Sequence, residues 1–385
     1  MKHAYVPFAL LLLTLTGCRP HDFPQYAAGY REYAYVTNGA GNTVTILDVV
    51  NLRLDRELAV GINPLAVAVN PVRNEVYVVN SGPAAGQGSV SVINAENNTI
   101  AATIPVRNRP VSIDLDTDGT HAYVANSGSN TISVLDLKTR SETAVIGAGE
   151  EPVAARLSPD GKALVVANRR GNSVTVVDPA SRRVRAVFEN CPGAADTVIL
   201  PDSTQAFVAC SAGHQVVAIA LAHTQAPPDT RPSQPDRLET FMDVGRSPVH
   251  LALKPDGGEL FVSNTLSNSI SEVVTTTDDV GGAYVMGSNP VRGLVSRDNS
   301  LLYVGNLSSQ EVTIYAIDDG KRAGSIHVGD GPSALAFSTA GHLLFVVDAR
   351  SSDVAVVRTA SRALFTMLPT GRGPNAIAVK SFKLP

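Results

Sequence analysis

The chain has 385 residues, 44% of them hydrophobic and 17% charged, with a net charge of −4. That balance supplies a packed interior and argues against a disordered chain, and its sign lacks the basic footprint of a general nucleic-acid binder, so no nucleic-acid partner is expected. Trp is absent, while 31 Gly and 24 Pro accompany abundant Val, Ile and Thr, a mixture of strands and turns rather than helices.

Residues 1–17 stand apart. Lys2 gives a positive start, and Phe8 to Leu15 form an apolar run too short to span a bilayer, as in a secretory signal peptide. Leu15-Thr16-Gly17-Cys18 then resembles a bacterial lipobox, whose Cys is lipid-modified and becomes the mature N-terminus. The plainer alternative is a cleaved signal with an incidental cysteine. The resemblance implies membrane attachment through lipid at Cys18, without a spanning helix. Arg19 replaces the Asp that usually signals inner-membrane retention in Gram-negative lipoproteins. In such a cell the expected location is therefore the periplasmic side of the outer membrane. Residues 18–30 read as the lipidated Cys and a tether, and 31–385 as a single domain.

From Arg31 a unit repeats. Tyr35-Val36-Thr37-Asn38 reads as a short strand, Gly39 to Asn42 as a polar turn, and Thr43 to Asp48 as the next strand. Copies of the first element end at Asn80, Asn126, Asn168, Cys210, Asn264, Asn306 and Asp348, and five of the seven intervals are 42 residues. A third strand resembles Arg56 to Val60, and a fourth resembles Pro64 to Val69. Turns such as Ser158-Pro159-Asp160-Gly161 follow, where Pro fixes φ and Gly admits a positive one. A period of this length with four short strands predicts an all-β propeller.

The fourth element starts at Pro64, Pro110, Pro152, Ala194, Pro248, Pro290, Pro332 and Pro374, eight times in all. Because the chain opens on the second strand of a unit and ends on a lone first strand, the C-terminal strand is expected to complete the N-terminal blade. Eight blades follow, or seven if the divergent unit holding Cys210 does not form. The Pro-rich stretch His223 to Arg237 accounts for that unit's longer interval and reads as a surface loop. Cys191 and Cys210 fall at the same end of that blade, which makes a disulfide the expectation and two separate buried thiols the alternative.

Tyr77-Val78-Val79-Asn80, Tyr123-Val124-Ala125-Asn126, Phe261-Val262-Ser263-Asn264 and Tyr303-Val304-Gly305-Asn306 are near-copies in register. On these motifs residues 31–381 resemble the YVTN-type β-propeller repeat family. That family is similar to the propeller domains of haem-d-type nitrite reductases and, more distantly, to propeller lactonases. The resemblance implies an extracytoplasmic propeller; its members share no single activity.

The repeated Asn residues read as turn-formers, as do Asp48, Asn94, Asp136 and Asp178 after the next strand. Departures from the repeat along the innermost strand are more telling. Two residues after each Pro position stand Ala66, Ser112, Ala154, Asp196, His250, Arg292, Ala334 and Ala376. Small side chains suit the axis, yet three consecutive blades carry Asp196, His250 and Arg292. Two residues further, Asp114 and Arg156 are the exceptions on adjacent blades. Buried charges need partners, so these five predict a polar sector near the wider mouth of a central funnel. Arg292 and His250 would hold an anionic group, with Asp196 orienting the His. A water-filled channel lined by paired groups is the alternative.

No ligand-spaced pair links His121, His214, His223, His327 and His342, and no C-x-x-C-H, G-x-S-x-G or P-loop occurs, so no metal or cofactor is expected. Gly-rich Ser81 to Gly88 reads as a rim loop rather than a phosphate cradle. Three functions compete: a non-catalytic scaffold binding an envelope protein, a glycan or a small anionic ligand at the mouth; a lactonase-like hydrolase built on the Asp196, His250, Arg292 sector; and haem-d-type tetrapyrrole binding. With no catalytic constellation in the sequence, binding is the expectation.

Overall fold

Runs such as Glu75–Asn80 and Leu343–Asp348 are apolar almost throughout, and only strands covered on both faces tolerate that composition. In a computed structural model, which describes residues 25–84, 86–222 and 235–384, these runs are the second strands of eight four-stranded antiparallel sheets around an axis. The signal segment, Cys18 and most of the Pro-rich insertion lie outside the described residues. Blades 2 to 8 take residues 64–108, 110–147, 152–189, 194–243, 248–285, 290–327 and 332–369 in order. Blade 1 joins residues 30–59 to the C-terminal strand Pro374–Lys383. The unit holding Cys210 forms a complete sheet, so the count is eight and not seven.

Closure is as expected from the order of elements. Tyr35 lies opposite Ala378 and Val36 opposite Ile377 in the sheet that joins the two ends of the chain. The closing strand runs on to Lys383, four residues longer than the six-residue element Pro64 to Val69 that it resembles, because it pairs back as far as Tyr30. The residues just before it are tied down as well. Tyr26 stacks on Tyr30 at 4.8 Å, and its hydroxyl meets His342 Nε2 at 3.0 Å on blade 8.

The mouth is built by one backbone bond repeated around the ring. The first residue after each second strand donates its N–H to the carbonyl of the residue just before the innermost strand, as Ser81 does to Asn63 at 2.9 Å. Gly39 makes the same bond to Gly373 at 2.9 Å, so the junction of the two termini is built like every other junction. The accepting residue is left-handed in every blade, and Arg109 (φ 49°) and Glu151 (φ 55°) adopt a conformation that Gly193, Gly331 and Gly373 take freely.

In six of the eight blades the second strand ends on a buried Asn whose Nδ2 donates to the third strand. Asn38 reaches Thr43 Oγ1 (3.0 Å) and Thr45 Oγ1 (2.9 Å), and Asn168 reaches Ser173 and Thr175 in the same way. The turn role read from sequence thus extends to tying two strands together. A Val-Gly step packs against this amide: a Cβ at Gly61 would stand 2.6 Å from the Asn80 side chain. Asp48, Asn94, Asp136 and Asp178 accept backbone N–H groups of the turns that follow them. In blade 5 Cys210 replaces the Asn and is joined to Cys191 by a disulfide, with Cα atoms 4.9 Å apart.

Candidate functional site

The innermost strands enclose a central cavity of about 930 Å³. Their edges face one another across the axis, and residues from the start of each strand line it. Asp196, His250 and Arg292 occupy equivalent registers, opposite Ala209, Ser263 and Gly305 of their neighbouring strands. All three line the cavity, as does Arg156. Asp114 stands one blade before Arg156, its carboxylate 3.8 Å from the guanidinium. Polar side chains therefore occupy an arc of five blades, 3 to 7. Blades 8, 1 and 2 show Ala334, Ala376 and Ala66 at the corresponding position.

Three of the polar side chains are fixed by the next blade's exposed strand edge. Asp114 Oδ2 accepts the Leu157 N–H at 2.8 Å, Asp196 Oδ2 accepts that of Leu251 at 3.1 Å, and His250 Nδ1 accepts that of Gly293 at 3.2 Å. Each acceptor thus satisfies an edge amide that the sheet itself leaves open. Repeat-based reading missed this, because a shared register gives each residue its place around the axis but not the atom it meets on the neighbouring blade. The sequence signal was there in part: acceptors, rather than only small residues, follow the Pro positions on consecutive blades.

The His250 contact fixes its chemistry. A neutral imidazole has one acceptor nitrogen and one donor nitrogen; with Nδ1 accepting, Nε2 carries the proton. Asp196, assigned from sequence to orient the ring, stands 3.8 Å from Nε2, beyond hydrogen-bond distance, and the Gly293 amide does the orienting. Burial holds the His250 pKa well below the usual imidazole value, and the charges of Arg292 and Arg156 lower it further. His250 is a neutral N–H donor at physiological pH.

Arg292 is the exception among the five. Burial lowers its pKa, the Asp196 charge raises it, and Arg156 lowers it again. Its guanidinium makes no hydrogen bond or ion pair to any described residue. Its N–H donors face the cavity. Burial also raises the Asp114 pKa, against the pull of Arg156 and the Leu157 N–H.

Other sequence candidates stay apart. Among the described residues no group of three metal-binding side chains is assembled. His214 Nδ1 accepts the Ser247 N–H and His342 holds Tyr26, while His223 lies outside the described residues. Ser81 docks at the rim through Asn63, and Gln87 and Gly88 already belong to the strand Gln87–Asn94.

A family model described as "Lactonase, 7-bladed beta-propeller" matches residues 30–201. The uncharacterized protein YncE of Salmonella typhi is 35% identical over 98 residues, a match covering 26% of this chain and 26% of that protein's length. Hydrazine synthase of Kuenenia stuttgartiensis has a similar structure (TM-score 0.57, 24% identity, 85% of this chain and 92% of that one). So does the dihydro-heme d1 dehydrogenase NirN in complex with DHE (TM-score 0.73, 14% identity, 90% and 74%). At such identities these two structures speak for the fold alone. The chain is an eight-bladed β-propeller, and over these stretches it is consistent with the YVTN-type repeat propellers. Its eight blades are its own, since the seven-bladed model matches less than half of it.

Proposed function

We propose that this protein is a lipid-anchored propeller of the cell envelope that binds a small anionic ligand in its central funnel, without catalysing a reaction. One observation carries the reading: the Arg292 guanidinium faces the cavity without a hydrogen-bond or ion-pair partner among the described residues. A guanidinium in a partly desolvated site is costly until its donors are met, and a carboxylate or phosphate meets two at once. His250 Nε2–H adds a neutral donor, and Arg156 adds positive charge to the same cavity.

The hydrolase reading has the family model in its favour, but the funnel's proton inventory opposes it. Hydrolysis needs a base with a free lone pair near water. The one acceptor nitrogen of His250 is committed to the Gly293 amide, so the imidazole offers no lone pair, and Asp196 bonds the Leu251 and Thr197 N–H groups rather than the imidazole. The tetrapyrrole reading rests on likeness to NirN, which is a likeness of fold.

The test is calorimetric titration of the mature protein with inorganic phosphate. Arg292→Gln should weaken binding by about ten- to a hundredfold, the value of a charge-assisted hydrogen bond. Equal affinity in the two proteins, or turnover of simple lactones at enzyme-like rates, would contradict the reading. The anchor is tested by Cys18→Ser, which should move the protein from the membrane fraction to the soluble one; retention in the membrane would rule out lipid at that residue.

A further inference from the structure

The funnel is not uniformly polar, and the asymmetry bears on what fills it. Blades 4 to 7 supply Arg156, Asp196, His250 and Arg292 to the cavity, and Asp114 of blade 3 stands 3.8 Å from the Arg156 guanidinium. The remaining wall, from blades 8, 1 and 2, shows the cavity Ala334, Ala376 and Ala66 with Leu335, Ile377 and Val67 beside them. One amide interrupts that wall, and it is already satisfied. Asn375 Nδ2 donates to the Pro64 carbonyl at 2.9 Å, and its Oδ1 accepts the Thr37 hydroxyl at 2.6 Å.

A fully hydrated inorganic anion would use one arc of this cavity and leave the other wetted against alanine. The volume of about 930 Å³ is also far larger than phosphate or acetate requires, and lies in the range of pockets that enclose whole organic molecules. Apolar wall gains free energy only when apolar ligand surface displaces water from it. We infer that the ligand is an amphipathic organic anion, its carboxylate or phosphate seated on Arg292 and its apolar body lying along the wall of blades 8, 1 and 2.

This rests on the anion-binding reading of the same funnel, and the two fail in different ways. The probes are inorganic phosphate and the straight-chain carboxylates from butanoate to decanoate, below their micellar concentrations, titrated into the mature protein. Three proteins are compared: wild type, Arg292→Gln and Ala376→Asn. The last substitution is structurally mild, because the equivalent position already holds Asp196, His250 and Arg292 on other blades.

The expected result is an affinity that rises about fourfold per added methylene in the wild type. Ala376→Asn should flatten that rise and leave phosphate binding unchanged, whereas Arg292→Gln should weaken every probe. Phosphate binding that depends on Arg292, with no rise along the carboxylate series, would overturn this inference and leave the anion site standing. A rise indifferent to both substitutions would place the chains elsewhere and overturn it as well. If neither phosphate nor any carboxylate binds, both readings fall.

Discussion

Asp348 shows how much one atom matters in this repeat. It takes the place that Asn holds in six blades, so an acid replaces an amide donor, and its usual hydroxyl partners are replaced by Asp353 and Ala355. Asp348 is fully buried, and Oδ1 of both acids lies without a partner that could donate to it. Only a shared proton lets two carboxyl groups occupy that space. Burial pushes the Asp348 pKa up to about 8, with Asp353 adding to the rise and the Gly329 N–H, at 3.0 Å from Oδ2, opposing it. The sign of the linkage follows. The folded state holds a proton that the unfolded chain gives up near pH 3.8, so the stabilisation is complete below that value and is lost as pH rises toward about 8. Asp348→Asn should remove this dependence and raise the denaturation midpoint at pH 8 to 9 relative to the wild type, with little change near about pH 4. Thermal melts across that range decide it; parallel curves for the two proteins would show that the pair carries no shared proton.

At the scale of the element, blade 5 solves the same problem covalently. With Cys210 in the Asn position, Gln215 and Val217 stand where hydroxyl partners stand elsewhere, and the Cys191–Cys210 bond ties the end of the second strand to the connector before the first. Reduction, or replacement of both cysteines by Ala, should cost about 2–4 kcal/mol, read as a lower denaturation midpoint. An unchanged midpoint would mean that strand packing alone holds the blade. Much of this scale was legible in the sequence. The Pro positions marked the innermost strands, the Asn positions marked the second strands, and their spacing placed Asp196, His250 and Arg292 at one level. Contacts between blades were not legible. That the Gly293 amide rather than Asp196 holds His250, or that Tyr26 reaches His342, depends on side-chain direction across a gap, which a repeat pattern does not encode. The tether reading of residues 18–30 likewise gave no sign that Tyr26 packs against blade 8.

For the whole molecule, closure turns local departures into a site. Four successive blades with charged or imidazole inner residues would be a scattered list on an open sheet; around an axis they become one wall of a cavity opposite another that carries Ala334, Ala376 and Ala66. The Gly39–Gly373 bond repeats the mouth connection of the other blades, so the seam between the termini does not interrupt that wall. The chain enters blade 1 at Tyr30, the end of the strand remote from the mouth that Asn38 and Gly39 help to form. The residues from Cys18 to Tyr26 span at most about 30 Å. A lipid at Cys18 would therefore tether the propeller from the face remote from the mouth.

The most direct measurement is an experimental structure with 4-iodobenzoate, an amphipathic anion whose iodine is located by anomalous scattering. The account predicts one site within the funnel, the carboxylate on Arg292 with His250 Nε2 within reach and the iodine over the wall of Ala66, Ala334 and Ala376. Iodine found only on the outer surface, with Arg292 bonded to protein or to water alone, would contradict it.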